Sequence, residues 1–116
     1  MTLEKTPLEE LIAKAASDKK ARNIVVMDVE GISPVTDTFI ICSASSTTQV
    51  QAISNNIEKV LGEHGNTLFH CEGYREGRWI LLDYGICVAH IFVEEDRQFY
   101  NIEKLWADAK SYVYEA

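Results

Sequence analysis

Two apolar runs separated by only three residues constrain this chain more than anything else in it. Residues 79–83 (WILLD) and 87–93 (CVAHIFV) are each of strand length, with Tyr84-Gly85-Ile86 between them. Three residues cannot carry a parallel crossover, so the pair predicts an antiparallel return. An acidic helix start, Glu94-Glu95-Asp96, follows immediately and suits the positive end of a helix dipole. The stretch from Arg78 to Ala109 contains both tryptophans of the chain, Trp79 and Trp106, and reads as its working surface.

The rest of the chain supplies partners for this hairpin. Thr6-Pro7-Leu8-Glu9 has the pattern of a helix start, with Thr6 as cap, Pro7 in the first helical position and Glu9 three residues after the cap. Leu8, Leu11, Ile12 and Ala15 form one apolar stripe, and the helix is expected to run to about Lys20. Residues 23–29 read as a strand and 32–37 as a loop, because Pro34 excludes a central strand. Residues 38–43 (TFIICS) are nearly continuous in apolar side chains, as expected of a central strand covered on both faces. Ser46-Thr47-Thr48-Gln49 repeats the capping-box pattern, and the helix it opens ends at His64-Gly65, where the glycine suits a left-handed cap. Residues 66–72 read as a short strand, 73–77 as a turn, 94–109 as a last helix and 110–116 as a frayed tail. The order α-β-β-α-β-β-β-α predicts a single α/β domain with a mixed sheet of about five strands and helices packed on it, its core spanning about residues 6–109.

Length and charge narrow the function. A chain of 116 residues is one domain's worth, and no apolar run approaches the roughly 20 residues that span a bilayer. Without a signal-peptide h-region at the N-terminus, the expected compartment is the cytoplasm, and no membrane partner is expected. Cys42, Cys71 and Cys87 all fall in strand-like runs and read as buried reduced thiols. A net charge of −7 argues against a nucleic-acid backbone as main partner and suits a basic protein instead.

The candidate chemistry is thin. Asp28 and Glu30 form a D-x-E pair of the kind that holds Mg²⁺, but no phosphate loop or Gly-rich motif accompanies it, so solvated strand-end charges are the simpler reading. His70-Cys71 and Cys87-x-x-His90 lack the spacing of a zinc site, since adjacent strand residues face opposite ways. His90 sits in the row Ile86, Val88, His90, Phe92 and reads as a hydrogen-bonded core or rim residue. Trp79, Leu81 and Asp83 share one strand face; Ile80, Leu82 and Tyr84 share the other. Trp, Tyr and Arg are the residue types that dominate binding hot spots, so Trp79, Asp83 and Tyr84 stand equally as interface or core.

At this point the pattern G-R-W-I-L-L-D-Y-G-x-x-V-x-H-I-F, followed by E-x-R-x-F-Y-x-x-E-K-L-W-x-D-A, resembles the Iojap family of ribosomal silencing factors. The similarity extends upstream through Asp28-Val29, Gly31, Ser33, Thr36-Asp37, Phe39-Ile40-Ile41, Ser43, Ser45, Val50 and Cys71-Glu72-Gly73. The resemblance implies binding without catalysis and without a cofactor or metal. It implies a large-ribosomal-subunit partner, the basic ribosomal protein fourteen, at the face where the small subunit docks, so that subunit joining is blocked and translation falls when nutrients are scarce. It also implies a nucleotidyltransferase-like fold without the catalytic set, Cys42-Ser43 standing where an enzyme needs Gly-Ser. The surface it implies is Trp79, Asp83, Tyr84 and Gly85 with Arg97 and Tyr100 nearby and Asp37 on the neighbouring loop. In that scheme Asp83 meets a cation while Trp79 and Tyr84 provide the apolar anchor, and self-association into a homodimer would use the same surface. Ile86 and Thr48 depart from the family pattern, which has an acidic and a basic residue there. The alternative readings are a large-subunit assembly factor and a divergent nucleotidyltransferase built on Asp28 and Glu30.

Overall fold

The computed structural model describes residues 7–115, so the Thr6 cap lies outside the described residues. A six-stranded mixed sheet forms the middle layer, with strands β1 Arg22–Asp28, β2 Thr38–Ala44, β3 His70–Glu72, β4 Trp79–Asp83, β5 Cys87–Val93 and β6 Lys110–Val113. Their order across the sheet is β3-β4-β5-β2-β1-β6. The expected hairpin is present as β4 antiparallel to β5, with Trp79 opposite Phe92 and Asp83 opposite Val88. The one parallel pair is β2 with β5, and every residue of β5 is buried. That accounts for the near-continuous apolar character of both strands: neither face of a middle strand reaches water.

One face of the sheet is covered by α1 (Leu8–Asp18) and α2 (Thr47–Glu63), which enclose Ile12, Ile40, Ile53, Ile57, Leu61, Ile80, Leu82 and Ile91. The α2 start behaves as its sequence predicts: Ser46 Oγ accepts from the Gln49 amide at 3.1 Å. The returning arm of the box differs, because the Gln49 side chain accepts from the Ser45 amide and hydroxyl rather than from Ser46. The α1 helix stops at Asp18, two residues before the expected end, and Pro7 is its cap residue rather than its first turn.

The opposite face carries a smaller core of Met27, Val29, Phe39, Ile41, Val88 and Phe92. Here the structure corrects two expectations. The single helix expected over residues 94–109 is broken at Asn101, whose φ of 44° and ψ of 54° are left-handed, into α3 (Glu94–Tyr100) and α4 (Ile102–Leu105). Asparagine tolerates that conformation better than most residues. The break folds α4 back so that Ile102, Trp106 and Ala109 pack on the small core. The tail expected to fray instead supplies β6, antiparallel to β1 with Val25 opposite Val113 and Asp28 opposite Lys110. All four β6 residues are exposed, so the strand carries no burial pattern that the sequence could have shown.

Candidate docking surface

The period-2 alternation of β4 puts Trp79, Leu81 and Asp83 on the face of the small core, where all three are half-buried. Neighbouring β3 presents Glu72 and His70 opposite Leu81 and Asp83, both exposed, with His70 Nε2 at 3.0 Å from Glu72 Oε2. The α3 helix meets Trp79 through Tyr100, whose ring lies 4.9 Å away and which is 48% exposed. Phe99, 81% exposed, stands perpendicular to Tyr100 at 5.1 Å, and Leu105 on α4 is 77% exposed. The outcome is an aromatic and aliphatic patch rimmed by the carboxylates of Glu72 and Asp83. At its middle is a shallow cleft of about 360 Å³ lined by Glu72, Gly73, Trp79 and Leu81.

Backbone geometry holds the patch rigid at both ends of β4. A Cβ on Gly73 would sit 2.0 Å from the Trp79 carbonyl oxygen, so only glycine lets the β3–β4 turn close. At the far end Asp83 Oδ1 accepts from the Gly85 amide at 2.8 Å, an Asx turn that orients the carboxylate while Gly85 adopts φ +88°. A Cβ on Gly85 would also meet the Phe69 ring at 3.2 Å.

Two of the residues singled out from the sequence, Tyr84 and Arg97, are placed differently, and Asp37 lies on its loop as expected. Tyr84 is on the opposite face from Trp79 and Asp83, 5% exposed in the larger core, where burial pushes its phenol up to about 12. It cannot share an apolar anchor with Trp79. Arg97 is turned inward, bonded to Glu103, to Ser43 Oγ at 3.1 Å and to the Arg22 carbonyl at 3.4 Å. It fixes α3 to the strand ends instead of presenting a cation to a partner. Asp37 is exposed in the loop before β2, and its amide donates to Ile86 O at 3.1 Å. That places it at the Asp83 end of the sheet, whereas Arg97 and Tyr100 belong to the Trp79 end. Trp79 and Tyr100 are the ones brought into contact, and Asp83 shares the Trp79 face at the far end of β4. Leu81 and Glu72 complete the patch, with Phe99 against Tyr100 at its rim; the alternation of β4 already pointed to Leu81, while nothing local in the sequence pointed to the others.

The remaining candidates resolve into local structure. Asp28 Oδ1 accepts from the Glu30 amide at 3.1 Å, which makes the D-x-E pair a turn device at the end of β1. Cys71 packs against the larger core while its neighbours His70 and Glu72 face the other way. Burial pushes the Cys42 and Cys87 thiols up to about 12, far from a nucleophilic thiolate. Among the described residues no three His, Cys, Asp or Glu side chains form a metal-binding group. No helix among them is long and apolar enough to cross a membrane.

A mixed α/β domain with helices on both faces of its sheet and an aromatic, carboxylate-rimmed patch beside one edge is the class of protein that fold and surface define. The family model described as ribosomal silencing factor during starvation matches residues 2–116, and the chain belongs to that family. That description is of a regulatory protein rather than a catalyst. A ribosomal silencing factor of Bacillus subtilis is 46% identical over 99 residues, covering 85% of this chain and 84% of the relative. One of Halalkalibacterium halodurans is 44% identical over 102 residues, covering 88% and 87%. A crystal structure of a Chromobacterium violaceum protein superimposes with a TM-score of 0.86 at 28% identity, over 98% of this chain and 95% of that one.

Proposed function

We propose that the chain silences translation by steric occlusion: it docks through the Trp79–Leu81–Asp83 face onto a basic protein of the large ribosomal subunit, ribosomal protein fourteen, and keeps the small subunit from joining. The observation that carries this reading is the β4 edge of that face, where Trp79, Leu81 and Asp83 stay half-exposed beside Glu72, with Tyr100 against Trp79, while Ile102, Trp106 and Ala109 cover the small core. Aromatic anchors ringed by carboxylates, on a domain of net charge −7, suit a basic protein partner in both the apolar and the electrostatic part of an interface. A patch of standard size, roughly 800 Å² per partner, holds a protein in place without turnover or cofactor.

The test is sedimentation of purified protein with salt-washed large subunits through a cushion, followed by addition of small subunits. Co-sedimentation with loss of joined ribosomes supports the reading. Protein left in the supernatant overturns it. Binding only to immature particles would mark an assembly factor instead.

A further inference from the structure

His90 lies on β5 beneath the patch, directly opposite Leu81, and is 6% exposed. The Trp79 indole Nε1–H donates to His90 Nδ1 across 3.1 Å. With Nδ1 accepting, the neutral ring carries its proton on Nε2, which is buried and has no hydrogen-bond partner. A buried donor without an acceptor costs about 1–3 kcal/mol, a penalty that a leucine at this position would avoid. Phe39 stands perpendicular to the imidazole at 4.8 Å and Phe92 lies beyond it at 6.3 Å, so the surroundings suit an apolar side chain. The imidazole therefore contributes something that core packing alone does not require.

That contribution falls on Trp79. The indole also stacks on Phe92 at 4.8 Å and leans on Tyr100 at 4.9 Å. Neither contact is directional enough to choose between the two flipped orientations of the ring, whereas a hydrogen bond is. We propose that His90 is a positioning residue for the docking surface: its Nδ1 holds the Trp79 indole with N–H turned inward, so that Trp79 forms one wall of the cleft bounded by Glu72, Gly73 and Leu81 and meets a partner only through its π face and C–H edge. This rests on the docking reading above. A ring presented in that way offers no hydrogen-bond donor to a partner. With the Glu72 carboxylate at the same cleft it suits the stem and charged head of a lysine or arginine.

Two substitutions separate positioning from packing. In His90→Leu the volume is filled and the orphaned His90 donor is removed, but the part-buried Trp79 N–H loses its acceptor, so the two effects offset and the melting temperature changes little. In His90→Asn the Oδ1 atom stands in for Nδ1 while a void lowers the melting temperature. Affinity for salt-washed large subunits is expected to fall at least fivefold in His90→Leu and to stay within twofold in His90→Asn, the reverse of the stability ranking. Affinity that follows melting temperature instead overturns the proposal. In the free, ¹⁵N-labelled protein, the Trp79 indole N–H resonance, assigned by its loss in Trp79→Phe, is expected to move and exchange faster in His90→Leu but not in His90→Asn. If His90→Leu leaves it unmoved, the positioning role is overturned. Should the wild-type protein fail to bind subunits at all, the docking reading falls, and the indole resonance still decides the role of His90.

Discussion

The Arg97 guanidinium and the Glu103 carboxylate form a two-pronged ion pair across the Asn101 break, Nε to Oε1 at 2.8 Å and Nη2 to Oε2 at 3.2 Å. The Arg97 side chain is only 11% exposed. The pair joins α3 to α4 as Arg97 also bonds Ser43 and the Arg22 carbonyl, so one side chain locks the broken helix onto the ends of β1 and β2. Charge-assisted forks of this kind are among the stronger hydrogen bonds in proteins. Removing the carboxylate leaves a largely buried cation without its partner. Glu103→Ala is therefore expected to lower unfolding free energy by about 2 kcal/mol in urea titrations, and to weaken subunit binding by letting α3 and Tyr100 move.

Glu72 and Asp83 rim the patch, and they differ in what else they do. Glu72 pairs only with exposed His70, so Glu72→Lys should weaken binding to large subunits at least tenfold, or about 1.4 kcal/mol, with no change in melting temperature. Asp83 also caps the Gly85 turn. Asp83→Asn keeps that acceptor and should remain folded while binding less well; Asp83→Lys should lose both binding and some stability. Equal affinity in Glu72→Lys and wild type would move the interface elsewhere.

Trp79 and Tyr84 provide an internal contrast, being five residues apart and on opposite faces. Tyr84→Phe should leave subunit binding within twofold, because the ring never reaches the patch. Tyr84→Ala should cost about 3 kcal/mol of stability as a buried aromatic is cut back. Trp79→Ala should lower affinity at least tenfold. Denaturant titration and sedimentation on the same three proteins check all of this.

Burial holds His90 down from 6.5 to about 4, with no charged group contributing. A histidine whose folded pKa is depressed binds fewer protons than the unfolded chain between those two values, so stability rises with pH across that window. Its contribution is complete above about pH 6.5 and is lost as pH falls towards 4, a change on the order of 3 kcal/mol. Urea midpoints at pH 7 and pH 4.5 should show the loss in wild type and a smaller one in His90→Leu.

The edge strand β6 pairs with β1 but buries none of its own side chains. Truncation after Ala109 removes β6 together with Tyr114, which packs on the larger core and bonds Ile24 O; it should lower stability while opening the β1 edge, and an open edge templates pairing with other chains. Lower melting temperature with concentration-dependent self-association in ultracentrifugation is the expected result; a stable, monomeric truncation would show that β1 needs no cover.

Periodicity made much of this legible beforehand. The alternation through WILLD and the apolar run CVAHIFV specified a hairpin and assigned each side chain a face, including the separation of Tyr84 from Trp79. The Ser46–Gln49 cap and the α2 stripe were readable in the same way. Motif similarity named the family, but it grouped Trp79, Tyr84 and Arg97 because a motif preserves neighbours in sequence and not neighbours in space.

From sequence alone came the local periods, the turn residues and the chain's charge, all set by interactions within a few residues. Only the tertiary structure decided that β6 would join β1, that Asn101 would break the last helix, that Arg97 would turn inward, and that helices would leave the Trp79–Leu81–Asp83 edge half-exposed. Each of those outcomes depends on contacts between segments far apart in the chain. Burial of a face is fixed by whatever packs against it, and a strand's own pattern says which residues share a face without saying which face stays bare.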